Sequence, residues 1–202
     1  ISVLSAVLLL APAGGTRSAP GGTTPRRALR WSTAARVLAA ALVAGALAWS
    51  VVPIPPGVIA YGRYFLTYTT LPDFLYCGDG MTSSVAVSEW PDGVRNFHVS
   101  GKVEASTGTP DMRLQHMLGN LPAQIHSDPR SVLVIGFGSG VTAGSFVPYP
   151  GIERLVICEI EPLIPQAVAG FFEIENHDVL RDPRVELLQD DARHFLFTTR
   201  EK

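Results

Sequence analysis

The sequence predicts an α/β protein: a parallel sheet with a ligand-binding glycine turn, preceded by a small antiparallel β unit and by a transmembrane-like helix. Three observations carry this prediction. The apolar run Ser131–Ile135 ends in Gly136-Phe-Gly138-Ser-Gly140. Two further apolar runs, Leu155–Ile160 and Val185–Leu188, come after it at βαβ spacing, with Glu159 and Asp190-Asp191 at their ends. Charge is also divided along the 202 residues: 1–72 hold six arginines and no acid, while the rest holds ten basic and eighteen acidic residues, so +6 and −8 make the net −2. A basic, apolar first part and an acidic second part read as a membrane-associated segment followed by a soluble one. A hydrophobic content of 47% excludes a disordered chain, and an acidic soluble part argues against nucleic acid as a partner.

In chain order, Ile1–Leu10 is apolar but too short to span a bilayer, which needs about twenty residues. It is expected to be the end of a helix in a longer protein. Thr16–Ser32, rich in Gly, Pro, Ser and Thr, reads as an arginine-rich loop. Val37–Val52 carries no charge and continues apolar through Pro53, Pro55 and Pro56, so a second helix is expected over 37–58, with Trp31 and Trp49 near its ends. Residues 1–70 thus form the membrane-associated segment. Arginine bias places the loop in the cytoplasm, and a single crossing would export the soluble part; the soluble domain is nonetheless expected in the cytoplasm, so the topology stays open.

Residues 71–122 read as a β unit with a linking helix. Pro72–Gly80 is hinge-like, Ser83–Glu89 and Val94–Ser100 alternate as strands about the Pro91-Asp92-Gly93 turn, and Asp111–Leu121 has helical spacing that Pro122 ends. Residues 123–202 read as the first part of a parallel, Rossmann-like sheet. Ser131–Ile135 is a buried strand and Val141–Gly144 starts a helix. Leu155–Ile160 and Val185–Leu188 are strands, and Pro162–Phe172 and Arg193–Lys202 are helices. Cys77 and Cys158 make no disulfide framework or zinc cluster, and His98, His126, His177 and His194 show no metal spacing.

A glycine turn between strand and helix lets backbone approach a bulky ligand where a Cβ would collide. Glu159, ending the next strand, is placed to accept both ribose hydroxyls, and Asp191 after the third strand can reach an adenine amino group. The glycines run G-x-G-x-G, the spacing of S-adenosyl-sulfonium sites rather than of dinucleotide sites. Val134 stands where most methyltransferases of this class carry an acid. Plainer readings exist: Gly136, Gly138 and Gly140 as close strand–helix packing, Glu159 or Asp191 as a helix cap with no ligand, Asp190 as a solvated acid, His116 as a half-exposed helix residue, and Phe171-Phe172 as core.

The chain resembles the spermidine synthase (polyamine aminopropyltransferase) family, especially its membrane-fused forms, over about Ser83–Lys202. The resemblance rests on Asn96–Glu104, Asp111–Pro122, Val132–Gly140, Glu159-Ile160 and Asp182–Ala192. It implies a Rossmann-like domain behind a β-domain, with decarboxylated S-adenosylmethionine as co-substrate, no cofactor and no metal. Glu159 falls on the family's ribose-binding acid, Asp191 with Ala192 on its adenine side, Gly136, Gly138 and Gly140 on its glycine turn, and Gln115 on its sulfonium-substrate contact. Four positions depart: Ser139 replaces an Asp, Leu114 a Tyr, His116 an acid and Glu104 a Gln. The resemblance places the catalytic Asp on a fourth strand beyond Lys202. The expected function is aminopropyl transfer to putrescine or a similar amine in polyamine biosynthesis. The chain read as an incomplete fragment is expected to be inactive alone, and the family allows a homodimer. The alternatives are a methyltransferase and a non-catalytic nucleoside-binding regulatory domain on a membrane carrier.

Overall fold

A computed structural model describes residues 26–199. Ile1–Leu10, Arg17 and residues 200–202, which carry part of the expectations above, lie outside the described residues. The chain divides into two compact units, residues 1–53 and 54–202.

In the first unit, α1 spans Arg26–Trp49. It begins inside the expected arginine-rich loop, because no Gly or Pro interrupts the Arg- and Ala-rich stretch from Arg26 until Gly45. It ends well before residue 58. Residues that precede proline are pushed into extended backbone, and the chain leaves the helix ahead of Pro53 and Pro55. The transmembrane-like helix expected over 37–58 is thereby corrected, and among the described residues no helix is long and apolar enough to cross a membrane.

The second unit opens with a short helix, α2 (Pro56–Tyr61), and a 3₁₀ turn over Gly62–Thr67. Next comes an antiparallel meander: β1 (Asp73–Asp79), β2 (Ser84–Glu89), β3 (Arg95–Val99) and β4 (Lys102–Ser106), paired in that order. The expected hinge over 72–80 is therefore mostly a strand, and the reversal at Gly101 leads into a fourth. Helix α3 (Thr109–Ile125) runs through Pro122 rather than stopping at it. In a last turn the ring forfeits one hydrogen bond, and the His126 N–H still reaches the Pro122 carbonyl at 3.1 Å.

The parallel sheet is as expected: β5 (Ser131–Ile135), β6 (Arg154–Glu159) and β7 (Val185–Gln189), in the order β5-β6-β7. Helix α4 (Val141–Gly144) follows the glycine turn, and α5 (Ala192–Thr198) follows β7. The helix expected over 162–172 is instead a π turn, Ile164–Val168, joined to a 3₁₀ turn, Ala169–Phe172. Pro165 and Gly170 explain the irregularity, one lacking an N–H and the other weakening helical propensity.

Alternation along β2 and β3 sorts the meander into two faces. Val85, Val87 and Phe97 join one core with Phe137, Phe146, Ile157 and Phe172 of the parallel-sheet layer. Ala86 faces the other way, onto Ala60 and Tyr61 of α2. On that second face the fully buried His98 bonds the Ser88 hydroxyl through Nε2 at 2.8 Å. Burial pushes its pKa down to about 4, against the opposing effect of the Ala60 backbone, so the ring is held neutral. Phe172 is 1% exposed, as the core reading expects.

Two polar latches join the meander to the parallel sheet. Arg95 donates to the Phe171 carbonyl and pairs with Glu175 at 2.6 Å. Glu161, 1% exposed, accepts from Thr82 N (2.7 Å), Thr82 Oγ1 (2.8 Å), Ser83 N (3.2 Å) and Leu163 N (3.1 Å). Burial alone would raise this carboxyl, but the donated bonds prevail and bring it from 4.5 down to about 2.

A group whose pKa falls on folding stabilises the fold above its unfolded value, and the effect is lost as pH drops through the folded one. We therefore expect Glu161→Gln to cost about 2–4 kcal/mol at pH 7, as for a buried charged acceptor. The gap from the parent should narrow from pH 4.5 downward and close near pH 2. Denaturant titrations across that range check it.

Candidate functional site

The carboxyl ends of β5, β6 and β7 lie side by side, with Ile135 opposite Cys158 and Glu159 opposite Gln189. Each strand hands over to one feature predicted from the sequence. Gly136, Gly138 and Gly140 follow β5, Glu159 closes β6, and Asp190-Asp191 follow β7.

All three glycines of the turn have positive φ, +81°, +58° and +83°. Such angles are costly for residues with a Cβ. At Gly136 and Gly138 an added Cβ would have no neighbour within 4 Å, so the space above them is open. Gly140 differs: its Cβ would lie 2.5 Å from Phe137 Cζ. Two of the glycines therefore leave room for a ligand and the third serves packing.

Glu159 is 5% exposed, and both its oxygens are used. Oε2 accepts the Phe137 N–H at 2.7 Å and Oε1 the Glu161 N–H at 2.9 Å. The carboxylate thus stitches the β6 end to the glycine turn.

Gln115 lies on α3 and reaches the turn from the other side. Its Oε1 accepts the Ser139 hydroxyl at 2.5 Å, while its Nε2 donates to the Ser106 carbonyl at 3.2 Å. Gly119 makes this approach possible, since a Cβ there would sit 2.6 Å from the Thr142 carbonyl. His116, beside Gln115, is half-buried and bonds Ser145 Oγ through Nδ1 at 2.9 Å, and Leu114 faces outward, 58% exposed.

Asp191 caps α5, accepting the Arg193 N–H at 2.8 Å and pairing with the Arg193 guanidinium at 3.0 Å. Those Arg193 bonds hold its carboxyl below the usual range. Ala192 is the first residue of α5. Asp190 is not simply solvated: it pairs with His194 Nδ1 at 2.6 Å, and its carbonyl accepts the Cys158 thiol. Burial, then the charge of Asp190, push that thiol up.

The structure brings together the glycine turn, Ser139, Gln115 and Glu159, with Asp191 and Ala192 on the same edge. Glu104, on β4, pairs with Lys102 of its own strand at 3.1 Å. A groove of about 590 Å³ runs beside the site rather than over it, along β5 between Leu118, Ala123 and Phe146. Among the described residues no cluster of His, Cys, Asp or Glu could hold a metal ion. Sequence reading missed Glu161 and Asn176, a fully buried residue behind the turn whose amide donates to the Ser139 carbonyl at 3.1 Å. Glu161 had a faint signal, two places beyond Glu159; Asn176 had none.

A parallel sheet with a glycine turn and a buried acid at the next strand end defines a Rossmann-like α/β unit. Residues 111–202 match the spermine/spermidine synthase domain. The chain is 32% identical to the polyamine aminopropyltransferase of Leptospira biflexa over 101 residues, covering 50% of this chain and 35% of that protein. It is 37% identical to that of Nitrosomonas europaea over 76 residues, covering 38% and 23%. The solved spermidine synthase from Thermotoga maritima shares the fold, with a TM-score of 0.57 and 23% identity over 61% of this chain and 43% of that one. The second half of the chain is thus similar to the spermidine synthase family, and the chain spans 35% of the length of the first of these relatives.

Packing at Gly140 generates a stability prediction. Gly140→Ala adds a clash with Phe137 to a left-handed backbone and should cost about 2–4 kcal/mol. Gly151→Ala, with nothing within 4 Å of its Cβ, should be near neutral. Chemical denaturation of both variants checks the contrast.

Proposed function

We propose that this chain is part of a spermidine synthase-like enzyme that transfers the aminopropyl group of decarboxylated S-adenosylmethionine to putrescine or a similar amine. The observation that carries the reading is Glu159, a nearly buried carboxylate bonded to the Phe137 N–H of the glycine turn. An acid so placed meets a ribose at the edge where open space lies over Gly136 and Gly138. The names of the relatives, polyamine aminopropyltransferases, support the same reading.

In the proposed reaction an amine nitrogen attacks the carbon next to the sulfonium. The C–S bond breaks, methylthioadenosine leaves with the electron pair, and a carboxylate base takes the proton of the amine. A sulfonium is already a good leaving group, so the protein acts mainly by orienting two bound molecules. Glu159 holds the ribose, Asp191 and Ala192 the adenine side, and Gln115 with Ser139 the sulfonium end. The base is proposed to come from a fourth strand beyond Lys202. Val134, apolar at the place of a methyltransferase's ammonium-binding acid, disfavours methyl transfer.

Glu159→Ala should weaken methylthioadenosine binding by about 2–4 kcal/mol, the loss of charge-assisted ribose bonds. Calorimetry on the full-length protein measures it, and unchanged affinity would remove Glu159 from the site. Assay of methylthioadenosine release from decarboxylated S-adenosylmethionine and putrescine tests the reaction itself.

A membrane role is proposed for α1, with the second unit on the cytoplasmic side. Val37, Leu38, Leu42, Val43, Leu47 and Trp49 are each at least 59% exposed. Apolar surface of that extent on one helix suits a lipid interface. The full-length protein should co-sediment with lipid vesicles, and vesicle binding should fall when Leu38, Leu42 and Leu47 are changed to Ser; a parent that stays entirely in the supernatant would sink this assignment.

A further inference from the structure

We infer that Asn176 is a positioning residue for the nucleoside site, fixing the Ser139–Gly140 peptide from behind the glycine turn. The inference rests on the nucleoside reading of the Glu159 edge and adds a residue to which neither the sequence nor that reading gives a role.

Asn176 is 2% exposed, and its amide is fully engaged on three sides. Nδ2 donates to the Ser139 carbonyl at 3.1 Å and to the Ala169 carbonyl at 3.1 Å, and Oδ1 accepts the Asp178 N–H at 2.9 Å. One side chain thus joins the turn after β5 to the irregular stretch after β6. The fit is close on both flanks of α4. A Cβ on Gly140 would lie 3.0 Å from Nδ2, and one on Gly144 would collide with the Asn176 carbonyl oxygen.

A turn with three positive-φ glycines has little conformational preference of its own, so its shape in the folded protein must come from outside. Ser139, 3% exposed, supplies the handle. Its hydroxyl is held by Gln115 on one side and its carbonyl by Asn176 on the other. With the carbonyl turned back toward Asn176, the peptide plane at Ser139–Gly140 is set, and with it the path of backbone past Gly138.

The chain accepts strain to place this residue. His177 and Asp178 are successive non-glycine residues in left-handed backbone, at φ +57° and +49°. Such angles persist only where the surroundings over-determine them. Here the Asp178 N–H is bound by Asn176 Oδ1 and the Asp178 carbonyl by the Arg181 N–H at 2.9 Å. A residue that only filled space would need neither the strained turn nor a bond to the ligand-facing loop.

The test uses methylthioadenosine as probe on the full-length protein, with calorimetry and amide hydrogen exchange. Asn176→Asp keeps the size and the acceptor for Asp178 but removes both Nδ2 bonds; binding should weaken at least tenfold, and exchange at Ser139 and Gly140 should speed up while β3 is unchanged. Asn176→Ser keeps one donor and should recover part of the affinity. In the parent, the Asn176 side-chain amide protons should exchange at least fivefold more slowly once the probe is bound. A folded Asn176→Asp protein binding within twofold of the parent overturns the inference. Should that variant not fold, unchanged exchange of the parent's Asn176 amide on probe binding overturns it instead. A parent that does not bind the probe at all overturns the nucleoside reading, and this inference with it.

Discussion

The site depends on where the Glu159 carboxylate is held. It sits at the last residue of β6, nearly out of water, and a carboxylate in that position needs donors for both oxygens. The chain supplies two backbone N–H groups, from Phe137 across the sheet edge and from Glu161 two residues on. One bond fixes the start of the glycine turn; the other bends the chain after β6 so that Glu161 enters the interface with the meander. The turn, the strand end and the latch to Thr82 are thereby linked through one side chain. Placing the acid one residue earlier would turn it to the opposite face of the sheet.

The parallel sheet was legible in the sequence because its strands are bounded by residues that also have a job at the edge. Glycines close β5, Glu159 closes β6 and Asp190-Asp191 follow β7, so strand ends and site were read from the same positions. The meander was only half legible. β1 reads Asp-Phe-Leu-Tyr-Cys-Gly-Asp, with acids at both ends and a glycine inside, and it becomes a strand by pairing with β2 through an irregular register near Phe74 and Tyr76. β4 comes after a two-residue turn at Ser100-Gly101, both at positive φ, the backbone that a tight hairpin demands. A serine in that conformation gives little local sign of it.

What stayed illegible is tertiary in origin. Glu161 and Thr82 are 79 residues apart, and Asn176 and Ser139 are 37 apart. No spacing rule relates such pairs: the Glu161–Thr82 bond exists only after the two layers have packed through Val85, Val87 and Phe97 on one side and Phe137, Phe146 and Phe172 on the other, and the Asn176–Ser139 bond only after the stretches that follow β5 and β6 have met. The error in the first unit has a different cause. Hydropathy sees apolar residues on both sides of Pro53 and Pro55 and joins them, whereas backbone sterics separate them.

The way each acid is held also distributes charge across the edge. Asp191 is paired with the Arg193 guanidinium, so its field is largely cancelled. Glu159 and Glu161 take their hydrogen bonds from backbone N–H groups and the Thr82 hydroxyl, with no arginine or lysine among those donors. Backbone dipoles stabilise a carboxylate without removing its net charge. The β6 end thus carries two carboxylates bonded by neutral donors, beside the open space over Gly136 and Gly138. Fixed charge of this kind is oriented before any ligand arrives and needs no reorganisation during reaction. For a proposed pair of cationic substrates, it places the attraction at the β6 end of the sheet edge. The neutral Ser139–Gln115 pair at the turn is then left to set distance and direction rather than to supply charge.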